Sequence, residues 1–247
     1  MAAPKHLAIL DVDGTLVHSL AGEALLYPRA CEQALALSNV SSDWTSYRCP
    51  SDRGIVRELV ELNCARTATA EDYLLVEQRF LALLREAYEQ EPALCEPVLG
   101  AIEAVQRLRQ LPELALSIAT AGWTSTAKYK LSVAGFSIDD LPLSTSGDAE
   151  AKVDIMRMAA ERAASQYSVD EFDSVVCFGD SAGDARAAAS LGFDFIGIDT
   201  SGFVADAAYR YSDFSELDAI VTTLGLLQSQ RVLVARDGHG VGGHRAG

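Results

Sequence analysis

The segment His6-Leu-Ala-Ile-Leu-Asp11-Val-Asp13-Gly14-Thr15-Leu16 constrains the fold more than any other stretch of the chain. Leu7 to Leu10 is a short apolar run and reads as a strand buried in a parallel sheet. It stops at two carboxylates one residue apart, followed by a glycine. In open α/β sheets, chemistry collects at the carboxyl ends of the strands. Two acids placed there can hold a divalent cation and still present an oxygen nucleophile. A carboxylate attacking phosphorus needs that cation, because two anions repel. A calcium loop fits less well, since an EF-hand would want a ligand at Gly14 and a glycine at Leu16. Turn chemistry alone explains Asp and Gly equally well, as both are turn formers.

The rest of the chain supplies the sheet. A helix over Gly100–Gln110 precedes a strand at Leu114–Ala119, and another helix leads to a short strand near Leu141–Ser144. The helix after Val153 leads to the strand Ser174–Phe178, and Ala185–Leu191 leads to Phe193–Ile198. Such alternation predicts a parallel sheet covered by helices on both faces. Between the first motif and Glu96 the pattern is helical throughout. Ala21–Leu37 and Gly54–Asn63 read as helices around a polar loop from Ser38 to Asp52. Thr69-Ala-Glu-Asp72 has the form of a capping box that opens a helix to about Gln90. Its stripe of Tyr73, Val76, Phe80, Leu84 and Ala87 reads as core packing. The expected fold is therefore α/β, a Rossmann-like parallel-sheet core (1–16 and 96–230) carrying an inserted all-α cap (17–95). The segment 231–247 is expected to be a disordered tail, with His239 and His244 idle in solvent.

Charge narrows the function. The 247 residues carry a net charge of −15 with only 20 Lys and Arg, the wrong sign for a nucleic-acid surface. A small anionic substrate remains compatible if a metal and a few local cations reverse the field inside a pocket. Five scattered cysteines without a Cys-x-x-Cys pair argue against zinc and for free thiols in a reducing compartment. No apolar run approaches the ~20 residues of a membrane span, and no signal-like run follows Met1. The expected location is the cytoplasm, with no membrane partner; oligomeric state is not written in the sequence.

Later strand ends carry matching residues. Ile118-Ala119 runs into Thr120-Ala121-Gly122, where a hydroxyl beside a backbone N–H makes a small anion cradle or an ordinary turn. Phe178 runs into Gly179-Asp180-Ser181-Ala182-Gly183-Asp184. Asp180 is placed to ligate a metal, and Asp184 can do so while closing a Ser181 capping box. Of the four lysines, Lys128 and Lys130 read as solvated charges within a helix. Lys152, at a helix start, is the candidate for balancing the clustered carboxylates.

These residues in this order resemble a phosphatase-type member of the haloacid dehalogenase superfamily, of the phosphoglycolate phosphatase-like kind. Asp11-Val-Asp13-Gly14-Thr15, Thr120, Lys152 and Gly179-Asp180-Ser-Ala-Gly-Asp184 match its four motifs over roughly residues 5 to 225. Ala121 stands where Asn or Ser is common, and Val153 where proline is frequent. The resemblance implies Mg²⁺-dependent hydrolysis of a small phosphorylated metabolite through an aspartyl-phosphate on Asp11. It implies Asp13 as general acid and base, with Thr120, the Ala121 N–H and Lys152 holding the phosphoryl group. Mg²⁺ ligation is implied for Asp11, Asp13 (by its carbonyl), Asp180 and Asp184. Arg48 and Arg53, in the cap, are candidates to reach a substrate anion. Dehalogenases lack a need for the second acid, here Asp13. Phosphonate-cleaving relatives use a cap lysine, and none lies between Val17 and Glu96. Sugar phosphomutases carry an early cap histidine, whereas His18 is the only cap-side histidine here. A sugar phosphomutase, or a non-catalytic binder of phosphorylated ligands, remains the alternative.

Overall fold

The computed structural model describes residues 3–199 and 207–238. In chain order, β1 (His6–Leu10) turns into β2 (Val17–His18), followed by α1 (Leu20–Leu35), α2 (Asp52–Cys64) and α3 (Ala70–Gln90). After β3 (Glu96–Pro97) come α4 (Ala101–Arg109), β4 (Leu114–Ala119), α5 (Thr124–Val133) and β5 (Leu143–Ser144). The chain ends with α6 (Lys152–Tyr167), β6 (Ser174–Gly179), α7 (Ala182–Ser190), β7 (Asp194–Ile198), β8 (Tyr209–Tyr211) and α8 (Leu217–Gly238).

Six strands form one sheet in the order β5-β4-β1-β6-β7-β8, and every pairing in it is parallel. Its apolar runs are short and buried on both faces, as parallel strands require. Leu7 and Ile9 of β1 pack with Ile155, Met156 and Ala159 of α6 on one face. Ala8 and Leu10 point the other way, toward Ala104 and Leu108 of α4 and Ile220 and Leu224 of α8. The register puts Leu10 opposite both Ile118 and Phe178. Asp11, Thr120 and Asp180 therefore leave three adjacent strands at nearly the same level.

β2 and β3 pair antiparallel, so the chain enters and leaves the helical segment side by side. Within it, Ser51 caps α2 by accepting from the Gly54 N–H, and Thr69 and Asp72 complete the capping box that starts α3. Tyr27 of α1 meets Phe80 of α3 edge-on, with ring centroids 5.0 Å apart. Phe80 is 1% exposed, and truncating such a side chain to Ala typically removes about 3–5 kcal/mol.

One boundary differs from the sequence expectation. The tail expected from 231 is helical as far as Gly238, because α8 continues past the point where its apolar periodicity fades. Residues 239–247, with His239 and His244, lie outside the described residues. Among the described residues, no helix is long and apolar enough to cross a membrane.

Candidate active site

The turn after β1 is tight: Leu16 and Val17 both donate to the Val12 carbonyl, at 2.8 and 3.0 Å. Gly14 adopts φ +79°, and a Cβ there would lie 1.9 Å from Asp180 Oδ2. Only glycine lets the first turn approach the acid of β6 this closely. A Cβ on Gly179 would likewise lie 2.6 Å from Asp184 Cβ, so this second glycine lets α7 fold back on its strand.

The two turns bring Asp11, Asp180 and Asp184 together, all buried, with one carboxylate oxygen of each within 4.8 Å of the others. Asp184 fills the capping role that its position suggested. Its Oδ2 accepts from Ser181 N and Oγ, closing the α7 capping box, while Oδ1 lies 2.9 Å from Lys152 Nζ. Lys152, the first residue of α6, also donates to Asp11 Oδ1 at 2.5 Å and to the Ala119 carbonyl at 3.2 Å. Thr120 is 1% exposed, and its Oγ1 accepts from the Gly122 N–H at 3.1 Å.

One lysine cannot balance three acids. Burial, followed by the charges of Asp184 and Asp13, pushes Asp11 up to about 7 against the pull of Lys152. Burial and the charges of Asp11 and Asp184 push Asp180 up to about 8. Burial disfavours the Lys152 ammonium, yet Asp11 and Asp184 hold its pKa above the ordinary value. Oxygen donors carrying excess negative charge suit a hard dication.

Asp13 has different company, and here a sequence expectation is overturned. Lys130 is not a solvated surface charge: its side chain is 1% exposed. Its amine donates to Asp13 Oδ1 at 2.5 Å and to Glu23 of α1. Burial tends to raise Asp13, but the Lys130 charge and hydrogen bonds from Lys130 and Ser19 outweigh it, leaving the carboxyl below its ordinary value. Glu23 is pushed up to about 7 by burial and by the Asp13 charge. Thr126, Ala127, Lys130 and Leu131 form the buried face of α5, and that spacing was the available signal. Lys128 is exposed, as read.

A cleft opens over these groups. Its other walls come from the helical segment, through Tyr27, Trp44, Asp52 and Ile55. Asp52 docks that segment on the core: its N–H donates to the Ala121 carbonyl at 2.9 Å, and Oδ2 accepts from Trp123 N at 2.8 Å. Glu77 of α3 adds a second link, accepting from Ser125 N and Oγ at the start of α5. Neither Asp52 nor Glu23 was legible as part of a site, because Glu23 sits in an unremarkable helix and Asp52 ends the polar stretch that reads as a loop. Arg48 and Arg53 do not line the cleft. Arg48 pairs with Glu58 and Glu61, and Arg53 lies 4.3 Å over the Tyr73 ring.

The family model for haloacid dehalogenase-like hydrolases matches residues 5–192. No curated protein matches the sequence. Solved structures share the fold at low identity. A predicted phosphoglycolate phosphatase from Haemophilus somnus aligns at 19% identity and TM-score 0.57, covering 90% of this chain and 99% of its own. A β-phosphoglucomutase from a hyperthermophilic Pyrococcus aligns at 21% and 0.55, covering 89% and 99%. CbbY from Rhodobacter sphaeroides, solved in complex with phosphate, aligns at 19% and 0.55, covering 85% and 95%.

Proposed function

Since this chain belongs to the haloacid dehalogenase-like hydrolases, we propose that it is a Mg²⁺-dependent phosphatase acting on a small phosphorylated metabolite. The observation that carries the reading is the Lys152 amine, 2.5 Å from Asp11 Oδ1, inside a cluster of three buried carboxylates. An acid so placed is a held nucleophile whose surroundings lack positive charge.

In this reading an Asp11 oxygen attacks phosphorus while the bond to the leaving oxygen breaks, giving an aspartyl-phosphate. Asp13 supplies the proton that the leaving oxygen takes up. The resting Asp13 carboxylate is ionised; the arrival of a phosphoryl anion beside it raises its proton affinity, so that it takes up a proton from solvent before the bond to the leaving oxygen breaks. Asp13 then accepts a proton from water as that water attacks phosphorus, releasing phosphate and restoring Asp11. Thr120, the Ala121 N–H and Lys152 hold the phosphoryl oxygens, and losing one such donor typically costs about 10²–10³ in turnover. Asp11, Asp180, Asp184 and the Asp13 carbonyl would hold Mg²⁺, which when bound neutralises charge on the transferring group.

The leaving-group side of the cleft narrows the substrate. Among the described residues, Lys152 is the only lysine or arginine lining it, while Glu23 and Asp52 face it from the helical segment. A second phosphate or carboxylate on the substrate would find no second cation there to pair with, and burying an unpaired charge is costly. The reading is therefore a monophosphate with an uncharged organic part, and hydrolysis rather than phosphomutation, which passes through a bisphosphate. All five cysteines are free thiols, in keeping with a cytoplasmic location.

The test is hydrolysis of para-nitrophenyl phosphate with Mg²⁺, abolished by EDTA and restored by added Mg²⁺. Asp11→Asn should remain folded and lose at least about 10⁴-fold in turnover; normal turnover in that variant refutes Asp11 as nucleophile. In a substrate panel, monophosphates of neutral alcohols and sugars should exceed phosphoglycolate and bisphosphates by about tenfold or more in kcat/KM.

A further inference from the structure

Lys130 is a fully buried cation with no part in the mechanism above. Asp13 Oδ1 accepts from Lys130 Nζ at 2.5 Å and from Ser19 Oγ at 2.5 Å. Asp13 Oδ2 faces the phosphoryl cradle instead. A Cβ built on Gly122 would lie 3.6 Å from Asp13 Oδ2 and 3.5 Å from Thr120 Oγ1. The two oxygens of one carboxylate thus have separate surroundings.

Stability alone does not call for this lysine. Buried ion pairs are often replaceable by well-packed apolar groups at no loss. A carboxylate that must stay a carboxylate, because it exchanges a proton, does need a partner when buried. The torsion that sets a carboxylate plane is broad and roughly two-fold, so an unanchored Asp13 would present either oxygen over a range of angles. Charge-assisted hydrogen bonds are the strong means of fixing it. Glu23, the second acceptor, holds the amine from the α1 side.

We propose that Lys130, together with Ser19, is a positioning residue for Asp13, anchoring Oδ1 so that Oδ2 alone exchanges the proton. In the first half-reaction the Oδ2–H bond breaks and its proton goes to the leaving oxygen as the P–O bond cleaves. In the second, Oδ2 takes a proton from the attacking water while the Asp11–phosphorus bond breaks. The proposal rests on the reading of Asp13 as the proton-transfer group.

Two aryl esters separate this role from a structural one. Dinitrophenolate leaves without a proton, whereas phenolate leaves poorly without one, and kcat/KM reports the step in which it leaves. Lys130→Met is expected to lose about a hundredfold or more in kcat/KM on phenyl phosphate and less than about tenfold on dinitrophenyl phosphate. Equal losses on the two esters overturn the proposal. If Lys130→Met does not fold, two variants that strand less charge decide. Ser19→Ala removes the other anchor, and Lys130→Met/Glu23→Gln removes the second acid with the lysine. Both are expected to lose more on phenyl phosphate, and equal losses again overturn the proposal. A wild-type protein that hydrolyses neither ester with Mg²⁺ refutes the phosphatase reading itself, a separate outcome.

Discussion

Lys152 and Lys130 both lie buried between carboxylates under one cleft, yet the charge around them balances differently. Lys152 faces Asp11 and Asp184 with Asp180 close by, and among the described residues no basic side chain pairs with Asp180. Two of those acids are consequently pushed up, to about 7 and about 8. Lys130 pairs with Asp13 and Glu23, and here one acid, Asp13, stays below its ordinary value while Glu23 is pushed up to about 7. The first cluster is short of positive charge and can take up more. The second encloses a lysine that is 1% exposed, against 17% for Lys152, so its cation is held out of reach of solvent and orients a group.

Removing each lysine breaks this comparison most directly. Lys130→Met leaves Asp13 and Glu23 facing a position that is only 1% exposed, and losing one partner of a buried pair typically costs about 3–5 kcal/mol. Lys152→Met leaves acids that border the cleft, where water reaches them, and should cost about 1–3 kcal/mol. Added Mg²⁺ should recover most of the Lys152→Met loss and none of the Lys130→Met loss. Urea unfolding with and without Mg²⁺ measures both; equal recovery in the two variants would erase the distinction.

A smaller effect sharpens it through pH. Asp11 and Asp180 have folded pKa values of about 7 and about 8, well above the ordinary 3.8. Without metal, the folded protein binds protons that the unfolded chain has released. Stability from these groups is thus full below the ordinary value and lost as pH rises through about 7 and about 8. The expected slope near neutrality is on the order of 1 kcal/mol per pH unit. Asp13, with its lowered pKa, contributes with the opposite sign: its stability is present above the ordinary value and lost as pH falls below it. Saturating Mg²⁺ should reduce the neutral slope to the part that Glu23, also pushed up to about 7, contributes, and leave the acid limb alone. A neutral slope undiminished by Mg²⁺ would mean that Asp11 and Asp180 do not share the ion.

The two clusters also differ in how far the chain announced them. Asp11, Asp180, Asp184 and Lys152 stand at strand ends or a helix start, where an apolar run stops abruptly at a polar residue. That break is local, so the strands and the candidate residues at their ends could be read from short windows, while the four-motif resemblance, not any window, implied that they meet. The Lys130 cluster joins α5 to α1 across the sheet boundary, and no local pattern encodes such a meeting. β2 and β3, two residues each, are too short to carry periodicity and exist because their partner is present. Arg48 and Arg53 looked available only because Glu58, Glu61 and the Tyr73 ring, which occupy them, belong to later turns.

The smallest effect is the most pointed. Lys128 and Lys130 are two residues apart on α5, a rotation of about 200° around a helix, so they face opposite ways. One is exposed and the other is sealed. Lys128→Met removes the same charge from the same helix and is expected to change stability by no more than about 0.5 kcal/mol. Its activity on phenyl and dinitrophenyl phosphate should be unchanged. Because the net-charge change matches that of Lys130→Met, any shared loss would trace to the charge of the helix as a whole. A loss confined to Lys130→Met traces to the contact with Asp13 and Glu23, since that contact is what about half a turn of the helix gives to Lys130 and denies to Lys128.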